Sequence, residues 1–142
     1  MTALSASYDA KRQDGEIMSF KIKATYTICK GALTGILPAN GYLYPAANTS
    51  TMILAGVAVD KSVAVSGESD GARSVRVFRS GVFQFAASSA DQSWVGQIMY
   101  VADDNTVAKT DPGNTVVAGV CVEFISSSLV KVDISKGVDT GA

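Results

Sequence analysis

A short apolar phrase occurs twice in this chain, as AGVAV at residues 55–59 and as AGVCV at residues 118–122. Valine favours strands, and alanine and glycine let a second backbone approach closely, so the phrase suits a strand covered on both faces. Each copy follows a glycine and a short apolar segment, and each precedes an alternating segment and a glycine. These flanking segments are GYLYPA and SVRVFRSG for the first copy, and GQIMYVA and LVKVDISKG for the second.

The shared order of three elements predicts two pseudo-repeated halves that face each other and close one core. The competing interpretation is that alanine, glycine and valine are common in strands and recur here by chance. Two units are too few for a solenoid, which needs at least three repeats, so the pattern favours a small sandwich or barrel.

Alternation with a period of two predicts strands elsewhere in the chain. From Met18 to Ile28 every second residue is apolar or aromatic, which is typical of a half-buried strand. In LVKVDIS, Val130, Val132 and Ile134 fall on one face. We expect Gly81 to bend the segment SVRVFRSGVFQF.

Turn residues and helical patterns complete the fold prediction. Residues 103–105, Asp-Asp-Asn, are expected to turn the chain between two strands, since these residue types tolerate turn conformations. The segment SSADQSW suggests one short helical turn, and no segment has an apolar helical stripe. We therefore predict an all-β fold, a small antiparallel sandwich or barrel.

The length of 142 residues predicts one domain, over residues 16–135. Residues 1–15 are polar and do not alternate, which predicts a flexible N-terminal arm. Residues 136–142 have little to bury and are expected to form a C-terminal tail.

Composition argues against most catalytic and several binding classes. The chain has no histidine, which removes the usual general base and the commonest zinc ligand, and it has no glycine-rich phosphate loop. We predict that it is not an enzyme and holds no cofactor or metal. The acidic stretches ADDN and SGESDG are interpreted as turns rather than calcium loops, because neither has the spacing of a known calcium loop.

Charge and hydropathy restrict the partners and the compartment. A net charge of −1 gives no basic field for nucleic acid, and no apolar run is long enough to span a membrane. The start of the chain lacks the pattern of a secretory signal, so we expect synthesis in a reducing cytoplasm. Cys29 and Cys121 are accordingly interpreted as small core or strand residues rather than a disulfide.

The densest basic group comprises Arg73, Arg76 and Arg79. On a strand, Arg73 and Arg79 share one face and Arg76 lies on the other, so the three do not form one stripe. Solvated strand edges are one interpretation, and docking to an acidic protein surface is the other. Trp94, Phe83 and Phe85 are predicted to be core residues.

The ordered set of phrases resembles a family of small bacteriophage head proteins, the capsid decoration or cement proteins, over residues 15–134. The phrases that carry the resemblance are DGEIMSF, ATYTICKG, AGVAV, RSVRVFRSGVFQF, VGQIMYV, NTVAKT, NTVVAGVCVEF and SLVKVDI. The segment before Gly15 and the segment TGILPANGYLYPAANTST are longer than is expected for the family.

The resemblance implies a structural protein that binds the major capsid protein on the outer surface of the expanded head and stabilises it, often as a trimer. It implies no catalytic residues. An arm could add a strand to an exposed sheet edge on the shell. The candidate capsid contacts are Leu4, Tyr8, Arg12, Arg73, Arg76 and Arg79. The alternative is a carbohydrate-binding β-module or adhesin of a phage tail or virion surface.

Overall fold

The computed structural model describes residue 6 and residues 16–134, which consist of strands joined by turns and loops. The strands are β1 (Ile17–Lys21), β2 (Leu33–Ile36), β3 (Leu43–Pro45), β4 (Ile53–Ala58), β5 (Ser74–Phe78), β6 (Val82–Ala86), β7 (Ile98–Val101), β8 (Val107–Ala108), β9 (Val117–Ser126) and β10 (Leu129–Asp133). The helical content of the described chain is one 3-10 turn, Gln92–Trp94, between β6 and β7. The predicted all-β class is confirmed.

The two halves of the chain form two sheets with the same strand order. The first sheet runs β1-β5-β4-β2-β3 and the second runs β6-β10-β9-β7-β8, with antiparallel pairing throughout. Ranked within its own half, each sheet therefore has the order 1-5-4-2-3. A parallel bridge brings the two ends of each sheet together, Ile22 to Leu43 in the first and Ala86 to Thr106 in the second. The predicted pseudo-repeat of two halves is confirmed.

One pairing of segments between the halves was wrong. The segment GYLYPA contains β3, whereas GQIMYVA contains β7, which is the second strand of its half. β7 lies beside β9 as β2 lies beside β4, so β7 corresponds to β2, and β3 corresponds to β8. Apolar patterning indicates that a segment is a strand but not which strand it pairs with. Here it matched β7 with β3, which is the sheet neighbour of β2, instead of with β2 itself.

The repeated AGV phrase forms the same β-bulge in both halves. Thr34 and the next residue pair with Gly56 and Leu54, which leaves Ala55 as the extra residue of β4. In β9, Ala118 is the extra residue in the same way, between Val117 and Gly119. A bulge adds one residue to one strand and increases the local twist, so the repeated phrase marks the point where each sheet bends.

The glycine of each bulge lies against the end of the fifth strand of its half. A Cβ on Gly56 would overlap the carbonyl oxygen of Phe78, the last residue of β5. A Cβ on Gly119 would overlap the carbonyl oxygen of Asp133, the last residue of β10. Both glycines also have positive φ, 147° and 154°, which other residues rarely adopt. The phrase is repeated because the same backbone approach occurs twice.

The buried apolar side chains form two clusters instead of the single predicted core. The larger cluster spans both sheets and includes Leu54 and Val57 of β4 with Cys121 of β9 and Val132 of β10. The smaller cluster lies within the first half. Its buried members are Ile22, Ile28, Leu43, Ala55, Ala58, Val75 and Val77. The first sheet therefore buries both of its faces.

Several segment predictions are confirmed. Val130, Val132 and Ile134 are fully buried, as their shared face predicted, and Phe85 and Trp94 belong to the core, against which Phe83 packs. Gly81 separates β5 from β6, residues 103–105 turn the chain between β7 and β8, and a single helical turn occurs in SSADQSW.

Two segment predictions were wrong. The strand predicted from Met18 to Ile28 ends at Lys21, because a turn follows at Ala24 and Thr25, where Thr25 has φ 70°. Cys121 is buried in β9 as predicted, but Cys29 is exposed in a loop. The predicted arm, apart from residue 6, and the predicted tail at residues 136–142 lie outside the described residues, as does residue 135 at the end of the predicted domain.

Candidate functional site

Surface groups that could bind another macromolecule are the candidate site of this molecule. Among the described residues no group of three or more histidine, cysteine, aspartate or glutamate side chains could hold a metal ion. No helix in that part of the chain has the length and hydropathy needed to cross a bilayer. The features of interest are the three arginines of the β5 region, the connection between β4 and β5, and the outer face of the second sheet.

Arg73, which precedes β5, is tied into the first half of the molecule. Its guanidinium forms a two-pronged ion pair with Glu68, with Nε donating to one carboxylate oxygen at 2.7 Å and Nη2 to the other at 2.6 Å. Nη1 donates to the hydroxyl of Ser62 at 2.8 Å, and Nη2 also donates to the carbonyl oxygen of Tyr26 at 2.7 Å. A fork of this kind holds both partners in a fixed geometry.

Glu68 is correspondingly held as a carboxylate. The Arg73 guanidinium is the main cause that lowers the pKa of Glu68 to about 2, against the opposing effect of desolvation, and the backbone N–H of Thr25, which donates to Glu68 at 2.8 Å, contributes to the same shift. Beside it, Lys23 donates to Asp70 at 2.9 Å and the N–H of Ala24 donates to the same carboxylate at 3.0 Å. The Lys23 ammonium is the main cause of the lowered pKa of Asp70.

These two carboxylates fasten residues 59–73, which connect β4 to β5, onto the segment that follows β1. Ser62 and Ile28 exchange backbone hydrogen bonds at 2.9 Å, and the N–H of Ala64 donates to the Thr27 hydroxyl at 2.9 Å. The acidic stretch SGESDG is thus a turn, as predicted, and its two carboxylates hold it against the segment that follows β1. We call residues 59–73 the β4–β5 connection.

The β4–β5 connection exposes apolar side chains while its backbone is held. Val63 and Val65 are 57% and 58% exposed, and the nearby Tyr26 is 43% exposed with its ring against that of Tyr44 at 5.0 Å between centroids. The sequence prediction did not single out these valines. Their alternation in KSVAV was a usable signal, since it places both on one face of an extended segment.

Arg76 and Arg79 are placed differently from Arg73. Arg76 projects from β5 and forms an exposed ion pair with Asp60, at 2.9 Å and 3.0 Å. Arg79 follows β5 and has no ion pair with the described part of the chain. The three arginines do not form one stripe, in agreement with their alternation, and their role as capsid contacts stays a prediction.

Both ends of the described domain meet at the connection between the two halves. The N–H of Arg79 donates to the carbonyl oxygen of Glu16 at 2.8 Å, and the N–H of Ile134 donates to the carbonyl oxygen of Gly81 at 3.0 Å. The chain therefore enters and leaves the domain beside residues 79–81. The candidate contacts Leu4, Tyr8 and Arg12 lie in the N-terminal segment, outside the described residues.

A shallow depression of about 240 Å³ lies where the halves adjoin. It is lined by Cys29, Lys30, Gly31, Ala32, Asp104 and Asn105. In the adjacent turn, the Asp103 carboxylate accepts the N–H of Asn105 at 2.8 Å, so the acidic stretch ADDN is also a turn, as predicted. The depression is open, unlike the enclosed clefts that bury most of the surface of a small molecule.

Comparison with known proteins gives a fold relationship. No protein-family model matches the chain, and no curated protein matches it. Among solved structures, the chain is similar to the head fiber gp8.5 N base of bacteriophage phi29, with a TM-score of 0.52 and 24% sequence identity. The likeness covers 85% of this chain and 96% of that one, so it concerns the fold of most of both chains.

Proposed function

We propose that this chain is a structural protein of a bacteriophage virion that binds the major capsid protein on the outer surface of the head and stabilises the expanded shell. The observation that carries the proposal is the likeness to the phi29 head fiber base, which extends over 96% of that chain. The ordered phrases over residues 15–134 resemble decoration proteins, which is consistent with the same role.

The physical properties of the described domain suit a bracing role. The first sheet buries both faces, and the larger cluster joins the two sheets into one packed unit. Packed interiors are stiff and resist deformation. A stiff domain that contacts several shell subunits, or that binds as a trimer, gains avidity without strengthening any single contact.

Among the predicted contacts, Arg76 and Arg79 are the better placed on the described surface. Arg79 lies beside the connection where the chain enters and leaves the domain, and the ion pair that Arg76 forms from β5 is exposed. Exposed ion pairs contribute little to folding stability, so this guanidinium can exchange Asp60 for an acidic group of a partner at small cost. Arg73 is committed to Glu68, Ser62 and Tyr26, and we assign it to holding the β4–β5 connection.

The test is to add the purified full-length chain to expanded heads that lack it, to count bound copies, and to follow the melting temperature of the heads. We expect saturation at a copy number allowed by the shell symmetry and a raised melting temperature. Arg79→Glu should weaken binding, while Lys109→Glu, a charge reversal in the second half, serves as the matched control. Wild-type chain that does not bind cognate heads would refute the proposal.

The alternative is a carbohydrate-binding module of the virion surface, and exposed Tyr26 is the observation in its favour. Sugar sites usually present aromatic rings beside polar groups, and the carbonyl oxygen of Tyr26 accepts from Arg73, which itself pairs with Glu68. A glycan array separates the two functions. Binding that is lost in Tyr26→Ala would favour the adhesin, whereas silence on the array together with head binding would favour the structural role.

A further inference from the structure

A single asparagine of this chain is followed by glycine, at Asn40 and Gly41 between β2 and β3. An asparagine side chain can react with the backbone nitrogen of the next residue, and glycine has no side chain to block the approach. Threonine is branched at Cβ and crowds the same approach. Threonine follows each of the other asparagines, Asn48, Asn105 and Asn114. Asn40 is therefore the asparagine whose neighbour most favours this reaction.

The reaction is a deamidation, with water as its only co-reactant. The Gly41 nitrogen attacks Cγ of Asn40, so that a succinimide ring forms, the bond from Cγ to Nδ2 breaks, and ammonia leaves with the proton of the Gly41 N–H. Water then opens the ring at either carbonyl, which gives aspartate or isoaspartate. Ring closure requires a Gly41 nitrogen that can lose its proton and an Asn40 amide that can move towards it.

In the folded chain the Gly41 nitrogen is held in a backbone hydrogen bond. Its N–H donates to the carbonyl oxygen of Leu37 at 2.8 Å, and the N–H of Asn40 donates to the same oxygen at 3.1 Å. Gly41 has φ 75°, a conformation that glycine adopts readily. The side chain of Leu37 packs against the larger cluster, so the residue that supplies the acceptor is anchored to the core.

The amide of Asn40 is held at both of its polar atoms. Oδ1 accepts the N–H of Tyr42 at 2.9 Å, and Nδ2 donates to the hydroxyl of Tyr44 at 2.8 Å. The ring of Tyr44 lies against that of Tyr26, with 5.0 Å between centroids. Asn40 itself is exposed, so water has access to it. What opposes the reaction is therefore the set of hydrogen bonds and not a lack of solvent.

We infer that Asn40 is a deamidation site that the folded β2–β3 turn keeps unreactive, and that it reacts in molecules whose turn has opened. The bonds that hold Gly41 and the amide all join residues 37–44, so one local opening releases them together. Isoaspartate adds a carbon atom to the backbone path, so a modified turn cannot close as before. Modification of Asn40 would thus record past opening of the first half. The inference goes beyond the proposed function and does not depend on it.

The same protection occurs at a second pair, Asp70 and Gly71. The N–H of Gly71 donates to the carbonyl oxygen of Ile22 at 3.0 Å, and the Asp70 carboxylate accepts from Lys23 at 2.9 Å and from the N–H of Ala24 at 3.0 Å. Aspartate closes the same ring with loss of water, and an ionised carboxylate is the poorer electrophile. Within residues 16–134, each glycine that follows Asn or Asp therefore donates its N–H to a backbone carbonyl.

The experiment incubates the full chain at mildly alkaline pH, folded and in urea, and follows modification of Asn40 by mass spectrometry of its peptide. We expect the folded chain to react at least about tenfold more slowly, because reaction waits for the turn to open. Tyr44→Phe removes the hydroxyl that accepts from Nδ2 and keeps the ring. It should speed the reaction in the folded chain and leave the rate in urea unchanged. Tyr100→Phe, the same change in the second half, is the matched control.

Slow reaction of the folded wild type, faster in Tyr44→Phe and unchanged in Tyr100→Phe, supports the inference. Equal rates in the folded chain and in urea overturn it, as does a folded Tyr44→Phe that reacts no faster than the wild type. Circular dichroism checks that each variant is folded at the start. The three asparagines that precede threonine are internal references, and any of them reacting as fast as Asn40 in urea would contradict the sequence preference. No heads are involved, so failure here leaves the proposed function standing.

Discussion

The two halves of this molecule share a strand order and a bulge but differ in what surrounds them. In both, the alanine of AGV is the extra residue and the glycine lies against the last carbonyl of the fifth strand. The connection between the fourth and fifth strands, however, comprises residues 59–73 in the first half and only Ser127 and Ser128 in the second. The close contact between the bulge glycine and the end of the fifth strand is therefore common to both halves, and the connection between the fourth and fifth strands is the part that differs.

The halves also bury different faces. The first sheet is covered on one side by its own small cluster and on the other by the second sheet, whereas the outer face of the second sheet has no cover from the residues that the structure describes. A duplicated unit that binds its own repeat in this asymmetric way always leaves one face without an internal partner. The exposed face of the second sheet therefore follows from how the two halves pack together and not from a locally unusual sequence.

The largest effect on either half is expected from replacing its bulge glycine, Gly56 or Gly119. We expect Gly56→Ala and Gly119→Ala each to destabilise the domain by about 4 kcal/mol or more, since each combines a strained φ with overlap of a backbone oxygen. Chemical denaturation measures the free energy of unfolding.

Gly67→Ala is the control for these two substitutions. Gly67 has φ 77° but open space around its Cβ position, so its replacement should cost only about 1–2 kcal/mol. A bulge glycine whose replacement costs no more than that of Gly67 would show that its half does not depend on the close approach.

A second prediction asks whether the halves unfold together. Leu54 belongs to the first sheet but is 2% exposed in the cluster shared by both sheets, and Leu54→Ala should cost about 3 kcal/mol. Trp94, the only tryptophan, lies in the second half. We expect its fluorescence and the far-UV circular dichroism to report one coincident transition, shifted equally by the substitution. A tryptophan transition left unchanged in Leu54→Ala would mean that the halves unfold independently.

Much of this arrangement could be predicted from the sequence, because period-two alternation reports directly on which side chains are buried. Val130, Val132 and Ile134 are the clearest case. The doubled AGV phrase likewise predicted the two halves, since a glycine within a strand indicates close backbone approach. What alternation cannot report is strand order, and for that reason β7 was matched to β3 instead of β2.

The limits of the pattern are also visible at single residues. Alternation continues through Tyr26, but the chain turns at Thr25, because Glu68 and Asp70 capture the backbone N–H groups of Thr25 and Ala24 from more than 40 positions away along the chain. The residues around Thr25 give no sign of these hydrogen bonds, because the two carboxylates come from a distant part of the sequence. The same pairing explains why Arg73, which composition marks as a surface residue, is held inside the first half.

The smallest effect is expected in the β4–β5 connection, where the halves differ most. The pKa of Glu68 is about 2 in the folded chain against an ordinary value of 4.5, so its ionised form stabilises the connection. That stabilisation is complete above about pH 4.5 and is lost as the pH falls towards 2. The protection factors for hydrogen exchange at Thr25 and Ala64, taken relative to the intrinsic exchange rate at each pH, should therefore fall on acidification through this range, while those of the β9–β10 turn stay unchanged.

Glu68→Gln separates the charge of this carboxylate from its shape. The amide can still accept from Thr25, but it cannot form the ion pair with Arg73, so exchange at these sites should already be fast at neutral pH and should respond less to acid. Asp103→Asn, in a turn of the second half where no arginine within residues 16–134 pairs with the carboxylate, is the control. If acid opened the β9–β10 turn as readily as the β4–β5 connection, the ion pair would not be what holds the longer connection, and the difference between the halves would lie in loop length alone.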